Sequence, residues 1–114
     1  LIRNISGIGV LLGALEPRRG AGKPLYNSAL LIENGKVVSR ARKQLLPTYD
    51  VFDETRYFEP GDVSVIAPFR GLRLGLSVCE DIWFQDRSYP VDPVTNMLGS
   101  SAIKMDCLIN ISAS

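Results

Sequence analysis

The chain has 114 residues, enough for one small domain or for part of a larger one, and 46% of them are hydrophobic, which supports a packed core and excludes a disordered chain. Lysine and arginine total 13 against 12 acids, a net charge of +1 that gives no reason to expect nucleic acid or an anionic membrane as a partner. No apolar run approaches the ~20 residues needed to span a bilayer.

Ile8 to Leu15 is a continuous apolar run containing Gly9 and Gly13, which predicts a strand buried on both faces, with a short buried helix as the competing reading. Glu16 to Pro24 is rich in breakers and reads as a surface loop. Tyr26 to Glu33 and Lys36 to Arg42 are two β-prone runs joined by Asn34-Gly35, a pair that tolerates positive φ in a type I′ hairpin turn. Alternation on the return strand puts Val37, Ser39 and Ala41 on one face and Val38, Arg40 and Arg42 on the other. Lys43 then falls on the Val37 face, where the strand ends.

Gln44 to Gly61 is a long connection rich in aromatic and acidic residues, and loops of that length are usually functional. Val63 to Ala67 predicts a short strand, Phe69-Arg70-Gly71 a turn, and Leu72 to Val78 a second strand with apolar residues at period two. That strand runs directly into Cys79-Glu80-Asp81. Gln85 to Val91 is a polar loop, Pro93 to Ile103 has helical spacing, and Cys107 to Ile111 reads as a final buried strand. The order β, ββ, ββ, α, β predicts an α/β or α+β layered domain with a mixed sheet. The run Leu108 to Ile111 lies almost at the end of the sequence with no exit loop, so we expect a fragment of a longer domain.

Cys79 at the C-terminal end of a strand is a candidate nucleophile. With no histidine in the chain, its activation must come from a lysine ammonium, a helix N-terminus or a carboxylate base. Lys43 and a carboxylate from the Phe52-Asp53-Glu54 region stand at strand ends or in the long loop, where they could converge on it. Read residue by residue, a small buried hydrophobic cysteine, a solvated lysine and capping acids are the competing interpretations. One thiolate without histidine makes zinc a poor fit to Cys79-Glu80-Asp81. The glycines of Arg18-Arg-Gly-Ala-Gly22 lack phosphate-binding spacing. The two cysteines, Cys79 and Cys107, suggest free thiols in a reducing compartment, and no basic segment with a cleavage site marks a secretory signal, so a cytoplasmic location is expected.

Lys43-Gln-Leu-Leu-Pro-Thr-Tyr-Asp-Val-Phe-Asp-Glu54, Arg56-Tyr-Phe-Glu-Pro-Gly61 and Leu76-Ser-Val-Cys-Glu-Asp-Ile-Trp83 together resemble the nitrilase, or carbon–nitrogen hydrolase, superfamily. Within it they are similar to the glutaminase domains of glutamine-dependent NAD synthetases. Tyr26 to Lys36 and Leu108 to Ser114 fit the same pattern. The resemblance implies an α-β-β-α sandwich with a Glu-Lys-Cys triad and no metal or cofactor for the glutaminase chemistry.

It implies that Cys79 attacks the carboxamide of glutamine, that Lys43 stabilises the oxyanion with the Glu80 N–H, and that Glu54 orients the lysine. Tyr49, Phe52, Glu80 and Ser114 fall where that family recognises glutamine. The ammonia would pass to a synthetase domain of the same parent chain, using ATP and magnesium, in a homo-oligomer. The family's general-base glutamate, which lies upstream in a Pro-Glu type motif, has no counterpart here, because Glu16 follows a later strand of the pattern. A stand-alone amidase acting on another small amide, or a catalytically dead docking fragment, are the alternatives. Cys79-Glu-Asp-Ile-Trp83 favours the synthetase branch.

Overall fold

Two tight turns set the strand frame. Asn34 and Gly35 have φ of 50° and 74°, and Arg70 and Gly71 have φ of 48° and 80°, so each pair is a two-residue type I′ turn whose twist matches its flanking strands. The computed structural model describes residues 6–83, 89–99 and 104–113. In it β1 is Gly9–Pro17, β2 Leu25–Glu33, β3 Lys36–Arg42, β4 Val65–Phe69, β5 Leu72–Val78 and β6 Cys107–Ile111, with α1 at Pro93–Leu98.

The strands form two three-stranded sheets, ordered β1-β2-β3 and β4-β5-β6. The first is antiparallel throughout. The second is mixed: β4 pairs antiparallel with β5, and β6 pairs parallel with β5. A parallel neighbour requires a crossover, and the stretch from Cys79 to Asp106, which contains α1, supplies it. The predicted mixed sheet is therefore one of two.

The sheets pack face to face. Ala29, Leu31 and Ala41 from the first meet Ala67, Leu74, Leu76 and Val78 from the second in one buried cluster. Three alanines in that cluster allow close approach of the backbones. Each buried leucine contributes roughly 1.5–3 kcal/mol relative to an exposed one. On the outer side of β5, α1 supplies a third layer: a Cβ added at Gly75 would stand 3.0 Å from the Met97 sulfur. The described residues thus form the β-β-α part of the expected α-β-β-α sandwich.

The predicted alternation along β3 holds. Val38, Arg40 and Arg42 are exposed, while Ala41 and then Lys43 are buried. A register shift between Leu31 and Ile32 leaves Val38 outside the ladder. On the outward face Glu16 bridges Arg40 at 3.0 Å and Arg42 at 3.7 Å.

Three expectations are corrected. The first apolar run is a strand but is not buried on both faces, because it borders an antiparallel sheet; Leu15 is 62% exposed. β4 begins at Val65 rather than Val63 and continues through Pro68 and Phe69. Proline is accepted there because β4 is an edge strand with only β5 beside it. The helix ends at Leu98 with Gly99 as its cap, and the predicted stretch from Ser100 to Ile103 lies outside the described residues. Its start follows the local chemistry: the Thr95 N–H donates to Asp92 Oδ1 at 3.1 Å, and Pro93 occupies the first turn, where no donor is needed.

The long connection is folded rather than loose. Leu45 and Leu46 are buried, residues Glu54–Arg56 form a 3₁₀ turn, and the Gly61 N–H donates to the Lys43 carbonyl at 2.8 Å. A Cβ on Gly61 would stand 2.4 Å from the Arg42 carbonyl oxygen, a contact with backbone that cannot move aside. Gly61→Ala is therefore expected to destabilise the protein by about 1–3 kcal/mol, the usual range for forced overpacking. Urea denaturation of the full chain measures this, and an unchanged midpoint would contradict the packing described for this turn.

Candidate active site

Strand β5 ends where its apolar alternation ends, and Cys79 follows with φ of 46°. A non-glycine residue in the left-handed region stores about 1–3 kcal/mol of strain and persists only where its surroundings over-determine it. Here they do so from two sides. Asn110 of β6 donates to the Cys79 carbonyl at 3.2 Å and to Ser77 Oγ at 2.9 Å. Asp81 Oδ2 accepts from the Val78 N–H at 3.3 Å. The result is a sharp strand-to-3₁₀ elbow, with Cys79–Ile82 as the 3₁₀ turn.

Lys43 arrives from the other sheet. Its side chain is 2% exposed, and its Nζ donates to Glu54 Oε1 at 2.6 Å. A buried ammonium is tolerated only with a charged, hydrogen-bonded partner. Glu54 is placed by the 3₁₀ turn it begins, whose backbone is fixed by its N–H to the Pro47 carbonyl at 3.2 Å. The other oxygen, Glu54 Oε2, is buried without a hydrogen-bond partner among the described residues. Asp53, expected as a capping acid, makes no side-chain cap.

Lys43, Phe52, Glu54 and Cys79 line one cavity of about 410 Å³, together with Gly13, Asn27 and the segment Ile111 to Ala113. Four of the seven residues singled out from the sequence thus line the same cavity. Tyr49 and Glu80 do not line that cavity but connect to it. The Tyr49 hydroxyl donates to Glu80 Oε1 at 2.7 Å, and its ring stands edge-on to Phe52 with centroids 5.7 Å apart. Tyr89 donates to the same Glu80 oxygen at 2.9 Å. Ser114 lies outside the described residues, although its neighbours Ser112 and Ala113 line the cavity.

Glu16 is turned away: in the β1–β2–β3 register it shares a face with Arg40 and Arg42, opposite to Lys43. Glu54 is the only acid lining the cavity among the described residues. No group of three or more His, Cys, Asp or Glu side chains converges among the described residues to hold a metal. In the glycine-rich loop after β1, the Lys23 N–H donates to Glu59 Oε2 at 2.8 Å. Cys79 and Cys107 are both free thiols.

Asp81 and Asn110 were not singled out from the sequence as site residues. A polar residue inside the apolar run Leu108 to Ile111 was the available signal for Asn110. Asp81 offered only its place in the first turn after β5, which lets it cap the Val78 N–H; its bonds to Gln44 and Leu45, 37 and 36 residues away, left no signal. Its Oδ1 accepts from Gln44 at 3.0 Å and from Leu45 at 2.9 Å.

A strained cysteine elbow, a buried lysine and a paired glutamate thus meet in one cavity of a double-sheet fold. The family model for carbon–nitrogen hydrolases matches residues 6–92, and the chain belongs to that family. It is 35% identical over 94% of its length to the glutamine-dependent NAD(+) synthetase of Synechocystis sp., and 34% identical over 98% to that of Thermotoga maritima. It spans 20% and 17% of those two proteins.

The structure of glutamine-dependent NAD+ synthetase from Acinetobacter baumannii, in complex with ADP, superposes with a TM-score of 0.82 at 27% identity, over 99% of this chain and 19% of that one. A carbon–nitrogen hydrolase from Helicobacter pylori superposes with a TM-score of 0.70 at 29% identity, covering 94% of this chain and 33% of its own.

Burial raises the pKa of the Asp81 carboxyl above its ordinary value of 3.8, while the N–H groups of Leu45, Gln44 and Val78 and the Lys43 charge oppose the shift. Between 3.8 and the raised value the folded chain binds more protons than the unfolded one. The Asp81 contribution to stability is then present at low pH and declines as pH rises through that window. A ¹³C titration of the Asp81 side-chain carboxyl should give a midpoint above 3.8 in the folded protein; a midpoint at or below it would contradict this.

Proposed function

We propose that this chain carries the nucleophile and oxyanion lysine of a glutaminase site that supplies ammonia for ATP-dependent NAD synthesis. The observation that carries the reading is the buried Lys43–Glu54 pair in one cavity with Cys79, in a chain 35% identical to a glutamine-dependent NAD(+) synthetase. The likeness at 35% and 34% identity to two glutamine-dependent NAD(+) synthetases, over 94% and 98% of this chain, supports it over a stand-alone amidase.

In this mechanism Cys79 Sγ attacks the carboxamide carbon of glutamine, and the thiol proton passes through a carboxylate base to the leaving nitrogen. The tetrahedral oxyanion is held by Lys43 Nζ and by the N–H of Glu80, which stands in the first turn of a 3₁₀ helix where no intrahelical acceptor exists. The C–N bond breaks, ammonia leaves, and a γ-glutamyl thioester remains on Cys79. Water then hydrolyses the thioester to glutamate and restores the thiol.

Glu54 holds and aims Lys43 through the 2.6 Å bond to its Nζ, and Tyr49, Phe52, Glu80 and Ser114 recognise the substrate, with Glu80 directed to its α-amino group. The base is a glutamate outside the described residues, since Glu16 is held on the far face by Arg40 and Arg42. ATP and magnesium would act on a synthetase domain of the same polypeptide.

In the complete polypeptide, Cys79→Ala should lower glutamine-dependent NAD formation by roughly 10³-fold or more while leaving ammonia-dependent formation intact. Lys43→Met should lower the glutamine-dependent rate by roughly 10²–10³-fold, the scale of a lost oxyanion donor. Parallel assays with glutamine and with ammonium chloride check both. Unaltered glutamine turnover in Cys79→Ala would sink the assignment.

A further inference from the structure

Two sheets that share no hydrogen-bonded strands supply the two halves of this cavity. Lys43 follows β3 of the first sheet, and Cys79 follows β5 of the second. Apolar packing between sheets is non-directional, so directional contacts between the two halves set the separation of ammonium and thiol. Arg70 donates to Glu33 Oε2 at 3.0 Å and Gln44 Nε2 to Ser64 Oγ at 3.0 Å, but neither contact involves the Cys79 elbow.

We infer that Asp81 is a positioning residue: its buried carboxylate fastens the Cys79 elbow to the backbone that follows Lys43. Oδ1 accepts from the N–H groups of Gln44 at 3.0 Å and Leu45 at 2.9 Å, the two residues directly after the lysine. Oδ2 accepts from Val78 at 3.3 Å, the residue directly before the cysteine. Asp81 is 3% exposed and does not line the cavity, so it acts through Lys43 and Cys79 and not on the substrate.

Only a carboxylate suits this place. It offers acceptors on both oxygens and no donor, whereas an asparagine amide would turn an N–H₂ group toward one set of backbone N–H groups. Glu80, the neighbouring acid, is directed elsewhere: its Oε1 accepts from Tyr49 and Tyr89. The inference rests on the glutaminase reading for the identity of the reaction, but the tie itself is a matter of backbone geometry.

The test uses Asp81→Asn in the complete polypeptide, with Leu74→Ala as a control that weakens the core away from the cavity. A displacement of about 1 Å at a reacting group can cost 10²-fold in rate, so kcat for glutamine hydrolysis should fall roughly 10–100-fold with KM little changed. The control should keep its kcat. Alkylation by iodoacetamide, followed at each cysteine by mass spectrometry, should slow severalfold at Cys79 in Asp81→Asn and stay constant at the exposed Cys107.

Asp81→Asn with wild-type kcat and Cys79 alkylation would overturn the inference, as would an equal loss of kcat in Leu74→Ala. Should Asp81→Asn not fold, amide hydrogen exchange in the wild-type protein decides: slow exchange at Gln44 and Leu45 supports the tie, and unprotected exchange there refutes it. A wild-type polypeptide unable to hydrolyse glutamine would overturn the glutaminase reading instead, and the alkylation comparison would still judge Asp81.

Discussion

The placement of Lys43 constrains everything around it. An ammonium 2% exposed is stable only if a carboxylate comes to it, and Glu54 does so at 2.6 Å. That requirement fixes the path of the connection after β3, because Glu54 must return to the strand end that the chain has just left. The buried Leu45 and Leu46, the 3₁₀ turn at Glu54–Arg56 and the contact of Gly61 with the Arg42 carbonyl all follow from that return. A long loop without periodicity is in fact a fitted lid on one charged pair.

The second sheet meets this arrangement with a strained residue. Cys79 sits in the left-handed region at the end of β5, held by Asn110 from β6 and by Asp81 from the turn that follows. The parallel pairing of β5 and β6 brings Asn110 level with Ser77, so the sheet register itself delivers the amide that caps the elbow. The strained backbone at Cys79 is thereby supported by hydrogen bonds from two elements.

Much of this was legible in the residues. The type I′ turn at Asn34-Gly35 is dictated by local φ preferences, and the two-residue alternation of β3 correctly carried Lys43 onto the inner face. The helix start at Asp92-Pro93 is likewise local chemistry. Exposure of β1 was not legible, because a run of apolar residues reports strand character and not the number of sheets that will cover it. The shifted start of β4 depended on pairing with β5, which Val63 does not reach.

By itself the sequence determined most of the strands, the hairpin turns, the stretch around Cys79 as a candidate site and the family, because these depend on local backbone preferences and on ordered motifs along one chain. Only the tertiary structure decided which strands form each of the two sheets, that Lys43 and Cys79 come from opposite sheets, and that Glu16 faces away. It alone revealed Asp81 as a link, since a carboxylate that binds backbone N–H groups 36 and 37 residues away leaves no trace in side-chain pattern. Contacts to backbone are invisible in a sequence because every residue offers the same N–H, and only folding selects which ones meet.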